Sequence, residues 1–512
     1  MKYNRQRIEM RYRHTSSLIQ LCSLFLVLFG IFLRVWQYAV NRSLWLDEAM
    51  LALNIVNRSF GGLTQPLDYD QGAPIGFLII EKMIVQLIGY QDYILRMFPL
   101  LSGIMAVFLM WKAAQNYIAR SGALIALGLF VVSEQLIYYS SELKQYSSDV
   151  MILLLLLVIA SKCMEESAKP SRLILLLAVV GTLGIWMSHP ALFIVMGIGL
   201  VLSLDGFIKR GWRGLVQSAP LLLLWLASFF ICYLISLRFL SANTDLTSYW
   251  RNYFMPMPPW TDAGWFSRAW YGLLYNPVGL SSVRIGTMIL LSGFISILLK
   301  RWQLALLLVV PLALTLLASA FGKYPFGGRL LLFAVPTVFL LIAEGVERIR
   351  LVLLRINPWI SFFATVILVT LFLYQPTWVA LRNLKHPNMV EHIKPVLSYL
   401  IHNKVNRDSI YVYYGARAAF KYYASLHGLS EGDYIAGISS RQEPHKYIQD
   451  IDKLRGLNRV WIVFSHNCSW CKVNEKLFFL DHLDKLGVRV EEIESSGASL
   501  YLYDLSVQRS TE

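Results

Sequence analysis

Apolar runs of bilayer-spanning length, separated by short polar or basic stretches, recur along the first three quarters of the chain. They fall near 15–37, 94–111, 121–139, 148–163, 172–188, 190–204, 215–236, 283–299, 302–320, 329–346 and 357–374. The pattern predicts a polytopic α-helical membrane protein with about eleven transmembrane helices. From about residue 376 the period changes. Polar helical segments near 390–403, 417–427 and 443–454 alternate with strand-like runs at 409–414, 459–465, 488–494 and 499–503. Such alternation predicts a small α/β domain over 376–512, following a membrane domain over 1–375.

Composition agrees with the period. Hydrophobic residues make up 56% of the chain and charged residues only 15%, and the mean hydropathy is +0.51. The net charge of +15 would suggest a polyanion partner in a soluble protein, but here the cations sort by loop. Lys2, Arg5, Arg7, Arg11 and Arg13 precede the first span, and Lys162, Lys169, Arg172, Lys209, Arg210, Arg213, Lys300, Arg301, Arg348, Arg350 and Arg355 fill alternate short connections. These are expected on the cytoplasmic side, and nucleic-acid binding is not implied. No small-residue cleavage site follows the first apolar run, so it reads as an uncleaved anchor with its N-terminus inside. The loops 39–93, 138–146, 237–282 and 322–329 and the C-terminal domain are then extracytoplasmic, in a multi-pass protein of the cell's inner (plasma) membrane.

Ionisable residues beside a membrane mark candidate chemistry. The first outer loop, 39–93, carries the adjacent acids Asp47 and Glu48 in Ser43-Leu44-Trp45-Leu46-Asp47-Glu48, with apolar helical stretches at 49–55 and 75–85 that suit the membrane surface. A desolvated carboxylate there can take a proton from a hydroxyl within hydrogen-bond reach. Asp70-Gln71-Gly72-Ala73-Pro74 signals a turn at the start of the second stretch. The turn 138–146 holds Tyr139, Glu142, Lys144 and Tyr146, a second acid framed by aromatic rings. In Lys323-Tyr324-Pro325-Phe326-Gly327-Gly328-Arg329 a guanidinium follows two glycines, which suits a phosphate. His189 reads as a packed residue at a span end. Asp47 and Glu48 can ligate a divalent cation through oxygen, but no larger carboxylate cluster demands a metal, and no redox cofactor is required.

Taken in order, the Trp-x-Asp-Glu loop, the proline turn before a surface helix, Arg96-Met97-Phe98-Pro99 opening the second span, the Glu-x-Lys-x-Tyr turn and the Tyr-Pro-Phe-Gly-Gly-Arg turn resemble the bacterial GT-C glycosyltransferases. The nearest branch is the protein mannosyltransferase and aminoarabinose transferase group, and the resemblance covers about 15–350. It implies transfer of a hexose or pentose from a polyprenyl-phosphate carrier to a glycolipid, polysaccharide or protein acceptor on the outer face, in the making of cell-envelope glycans such as lipopolysaccharide. Asp47 is then the general base, Glu48 its orienting neighbour, Glu142 a second outer acid and Arg329 a phosphate ligand. One departure stands out. The aminoarabinose transferases place a Lys before the paired prolines of the first loop, where this chain has Gln71. The phosphate must therefore be held by other cations, with Arg34, Lys82, Arg96, Lys144 and Arg329 as candidates, and Tyr139, Tyr146 and Tyr324 as sugar-facing rings.

A transporter or lipid flippase is the alternative, since it also needs many spans. Against it, the hydropathy shows no internal repeat and the ionisable residues gather at the outer face. Cys468-Ser469-Trp470-Cys471 follows a strand-like run, as in thioredoxin-like proteins. No proline precedes the later strand and the upstream order of elements is poor, so a local disulfide or two free thiols fits better than a redox role. Cys22, Cys163 and Cys232 lie in or near spans and serve as small apolar residues.

Overall fold

The computed structural model describes residues 2–164, 170–441, 443–467 and 474–506. The Cys468–Cys471 motif lies outside them. Two compact units divide the chain: Met1–Val40, Ser59–Gly89 and Tyr93–Pro387 form one, and Asn41–Arg58, Tyr90–Asp92 and Asn388–Glu512 form the other. The second starts later than the expected 376–512 domain, at Asn388, and takes in two pieces of the first loop. Helix Pro358–Lys385 runs unbroken through residue 375, and the short stretch bearing Asp47 and Glu48 clusters with the C-terminal residues.

In the first unit, among the described residues, eight helices are long and apolar enough to cross a membrane. The expectation of about eleven had counted separately the two arms of Val283–Ala320, which turns at Arg301 (φ −150°, ψ 75°). It had also counted the shorter apolar helices Ser121–Val132 and Ser171–Met187. The segment 121–139 is not one helix: Arg120–Val132 and Glu134–Tyr139 are separated at Ser133, whose ψ of 115° is extended.

Helix Gly328–Leu354 is the hub, with 94% of its apolar window buried, while Pro358–Lys385 has 11% and faces outward. Lipid is as apolar as Leu, so these helices associate by close packing. A Cβ on Gly293 would lie 1.9 Å from the Leu341 carbonyl oxygen, and one on Gly345 would lie 2.0 Å from that of Ile289. Only hydrogen fits at either crossing. Some of the basic residues read as topology markers also balance buried acids. Lys300 Nζ is 2.7 Å from Glu344 Oε1, to which Ser296 also donates at 2.6 Å, and Arg350 grips both oxygens of Glu347 at 2.8 and 2.6 Å.

The second unit holds a five-stranded sheet of order β2-β1-β3-β5-β4, from β1 (Ser409–Val412), β2 (Ile435–Ala436), β3 (Val460–Ser465), β4 (Val488–Ser495) and β5 (Ala498–Asp504). β1 pairs in parallel with β2 and β3, and β5 runs antiparallel to β3 and β4. Every residue of β3 is buried, which explains a continuous apolar run in place of alternation. β2 has two residues and no readable period.

Candidate functional site

The acids of the first loop open helix Leu46–Asn57. Negative charge suits the positive end of the helix dipole, but the cap position holds Trp45, which has no side-chain oxygen to accept the free N–H groups. A distant residue supplies the acceptor: Leu46 N donates to Glu391 Oε2 at 3.0 Å. The other oxygen of Glu391 meets His466 Nδ1 at 2.6 Å, just past the end of β3.

The approach to the helix is held as closely. Leu44 N donates to Tyr423 Oη at 2.7 Å, Ser43 Oγ lies 3.0 Å from His392 Nδ1, and Lys394 Nζ donates to the Asn41 carbonyl at 2.6 Å and to Asp92 Oδ2 at 2.8 Å. Tyr423 also donates to Asp92, at 2.7 Å. Glu48 is fully buried and Asp47 partly exposed. Thus one carboxylate is fixed in the protein while its neighbour reaches the surface.

In the first unit a separate cluster forms where helices break. Helix Glu134–Tyr139 ends in a turn before helix Tyr146–Cys163. Ser140 and Ser141 close that turn on the carbonyls of Ile137 and Tyr138 at 2.6 and 3.1 Å, and Gly103 lets it lie flat, since a Cβ there would meet Ser140 at 2.6 Å. Glu142 and Lys144 are buried. The Tyr139 and Tyr146 rings meet edge-on at 5.0 Å, and the Arg329 guanidinium stands 5.7 Å over Tyr146.

Arg329 is aimed by its glycines. Gly328 has φ +54°, and a Cβ on Gly327 would sit 2.1 Å from the Tyr253 ring. Tyr324 is anchored through its hydroxyl to the Leu330 carbonyl at 2.9 Å. Burial raises the Tyr139 hydroxyl pKa, Glu142 raises it further and Arg329 opposes them. Burial, then Asp149 and Tyr146, raise that of Tyr324. Both phenols are therefore hydrogen-bond donors at neutral pH.

Lys144 Nζ donates to Gln71 Oε1 at 2.7 Å, so the ammonium absent from position 71 is delivered there from the second turn. The other cations lie elsewhere. Arg34 is buried within its span, bonded to the carbonyls of Gly30 and Phe130 at 3.0 and 3.4 Å and set over the Phe130 ring. Its bonds are those of a helix-packing residue. Arg96 is within electrostatic reach of Tyr38, which pairs with Tyr93 at 5.3 Å. Lys82 is buried on helix Ile75–Ile88.

Sequence reasoning passed over two buried acids. Glu81, beside Lys82, is wholly buried with neither carboxylate oxygen hydrogen-bonded among the described residues, and burial pushes its pKa well up. Asp149, one turn beyond Tyr146, is 4% exposed with Oδ1 likewise unmatched, and lies near Ser188 and Tyr324. Each is an acid inside an apolar helical run, which was a readable signal. No group of three His, Cys, Asp or Glu arranged for a metal ion occurs among the described residues.

No protein-family model matches the sequence, and no curated protein matches it. Solved structures match in fold. ArnT from Cupriavidus metallidurans in the apo state is 11% identical over 95% of this chain and 99% of its own, with a TM-score of 0.51. The same protein bound to undecaprenyl phosphate gives 10% identity, the same coverage and a TM-score of 0.50. The archaeal oligosaccharyltransferase AglB from Archaeoglobus fulgidus, in complex with an inhibitory peptide and a dolichol-phosphate, gives 11% identity, 94% and 74% coverage and a TM-score of 0.50. The chain has the GT-C membrane fold of these proteins.

The Glu391 cap yields a direct test. Loss of a helix cap costs about 1 kcal/mol, so Glu391→Ala should speed amide hydrogen exchange in residues 44–50 about fivefold without a matching change across the sheet. Unaltered exchange there would mean that the helix start is held by something else.

Proposed function

We propose that this protein is an integral-membrane glycosyltransferase that moves a sugar from a polyprenyl-phosphate carrier to an acceptor at the outer face of the plasma membrane. The observation that carries the reading is the GT-C fold, matched over 95% of the chain, combined with an acid, a guanidinium and two phenols gathered at helix breaks: Glu142, Arg329, Tyr139 and Tyr146. Among the neighbours in fold, one was solved with undecaprenyl phosphate and another with a dolichol-phosphate, which supports a lipid-phosphate donor here.

The chemistry follows from the residues. A polyprenyl phosphate is a good leaving group, so the protein must bind it, neutralise the charge that grows as the glycosidic bond breaks, and remove a proton from the attacking hydroxyl. Asp47 is the base and Glu48 its orienting neighbour. Arg329 takes the phosphate, assisted by Lys144, while Glu142, the Tyr139 hydroxyl and the Tyr324 ring orient the donor sugar. Lys82 and Arg96 add positive potential for the carrier. Asp47 and Glu48 also offer oxygen ligands should a divalent cation take part. The C-terminal unit lies outside the cytoplasm in this reading, as the charge bias of the loops requires.

Three outcomes are expected. Asp47→Asn should abolish transfer from a polyprenyl-phosphate sugar while the protein still inserts and melts like wild type, because the amide keeps the shape but cannot accept the proton. Glu48→Gln should be milder. Full turnover by the Asn variant would remove Asp47 as base.

Arg329→Lys keeps the charge and loses the fork, and Arg329→Ala loses both. Transfer should fall in that order, with the donor KM rising and kcat falling, since phosphate charge grows toward the transition state. Wild-type kinetics in Arg329→Ala would leave Arg329 as an interfacial anchor.

In a cysteine-free background, a membrane-impermeant thiol reagent applied to whole cells should label Ser430→Cys and spare Ser171→Cys. The reverse pattern would turn every proposed residue toward the cytoplasm and defeat the reading.

A further inference from the structure

A cavity in the membrane unit, of about 260 Å³, is lined by none of the Tyr139–Tyr146 cluster residues. Its polar wall comes from places where helices break: Glu134 and Gln135 begin helix Glu134–Tyr139 after the interruption at Ser133, Asn276 caps helix Ala263–Tyr275, and Gln375 precedes the proline inside Pro358–Lys385. Phe339 and Phe372, both buried, supply an apolar wall.

Two features define what would fit. The residues lining the cavity include one carboxylate and three amides but no Lys, Arg or His, so a phosphate would meet negative potential, whereas hydroxyls would find donors and acceptors. In addition, the flanking helices expose aromatic residues within a turn or so of lining positions, Tyr374 and Trp378 around Gln375 on one and Tyr271 and Tyr275 before Asn276 on the other. Exposed Tyr and Trp sit at headgroup depth. A cavity at that depth with polar amides and an apolar wall suits a lipid headgroup rather than a free sugar.

We infer that this cavity binds the neutral, polyhydroxylated headgroup of a glycolipid, and that, on the reading of the protein as a glycosyltransferase, this lipid is the acceptor. Helix Glu134–Tyr139 connects the two places, with Glu134 in the cavity and Tyr139 in the aromatic cluster. Its six residues span about 9 Å at 1.5 Å each. An acceptor held by its headgroup at one end is within a sugar or two of the cluster at the other.

Native mass spectrometry of the purified full-length protein tests this, with monoglucosyl diacylglycerol, phosphatidylglycerol and undecaprenyl phosphate added separately. The glucolipid should be retained over phosphatidylglycerol. Its retention should fall about tenfold in the double variant Gln135→Leu/Gln375→Leu, the loss expected for two hydrogen bonds, while undecaprenyl phosphate binding stays unchanged. Should the double variant fail to fold, Gln135→Leu alone, at a partly exposed position, should give about a threefold loss. Equal retention by wild type and variants overturns the site, and phosphatidylglycerol retained as well as the glucolipid overturns the headgroup assignment. A glucolipid that binds but is never glycosylated by an active enzyme overturns its role as acceptor. Binding is read without turnover, so an Asp47→Asn protein that still transfers sugar would count against the proposed base and leave this test standing.

Discussion

A backbone N–H or C=O that enters hydrocarbon without a partner costs several kcal/mol, so the chain crosses lipid as helix and can break only where protein or water supplies a partner. The polar clusters of the first unit follow from that constraint. The turn between Tyr139 and Tyr146, the glycine turn before Arg329, the interruption at Ser133, the cap at Asn276 and the Gln375-Pro376 step are all places where the helical ladder is broken or ends. Each break frees polar groups and sets side chains at odd angles. The aromatic cluster and the amide-lined cavity are built from such breaks, and the apolar hub Gly328–Leu354 runs between them.

The same constraint explains why the first loop is organised by residues so far away in sequence. Helix Leu46–Asn57 begins after a tryptophan that cannot cap it. Its first N–H is taken by Glu391, and Glu391 is aligned by His466 at the end of β3. Residues Asn41 to Leu46 are gripped by Lys394, His392, Tyr423 and Glu391. The C-terminal unit is therefore more than an appended domain: it is the frame on which the Asp47–Glu48 pair is mounted. Mounting a carboxylate on a packed helix holds its position more closely than a loop would.

The placement of the cations shows how context sorts residues of one type. Lys144 bonds Gln71 and Arg329 lies over Tyr146, each beside a helix break. Arg34 satisfies two helix carbonyls within the membrane, and Lys300 and Arg350 balance buried Glu344 and Glu347. Arg and Lys carry one charge wherever they stand, but what they do with it depends on the nearest carbonyl, carboxylate or ring.

The period of apolar residues was enough to read the membrane class, most helices and the α/β character of the C-terminal region, because these depend on local burial repeated over many residues. The order of short motifs was enough to read the GT-C fold. It also singled out Tyr139, Glu142, Tyr146, Tyr324 and Arg329, which the structure brings into one neighbourhood. What the sequence could not supply was partnership across distance. The cap from Glu391 to Leu46 and the bond from Lys144 to Gln71 join residues far apart in the chain, and no local pattern encodes either. The same holds for Arg34, since the carbonyl of Phe130 that holds it reaches it only through helix packing. The break at Ser133, the isolation of Glu81 and Asp149 and the amide-lined cavity likewise exist only once helices are in place, because burial and hydrogen-bond satisfaction are properties of the assembled fold.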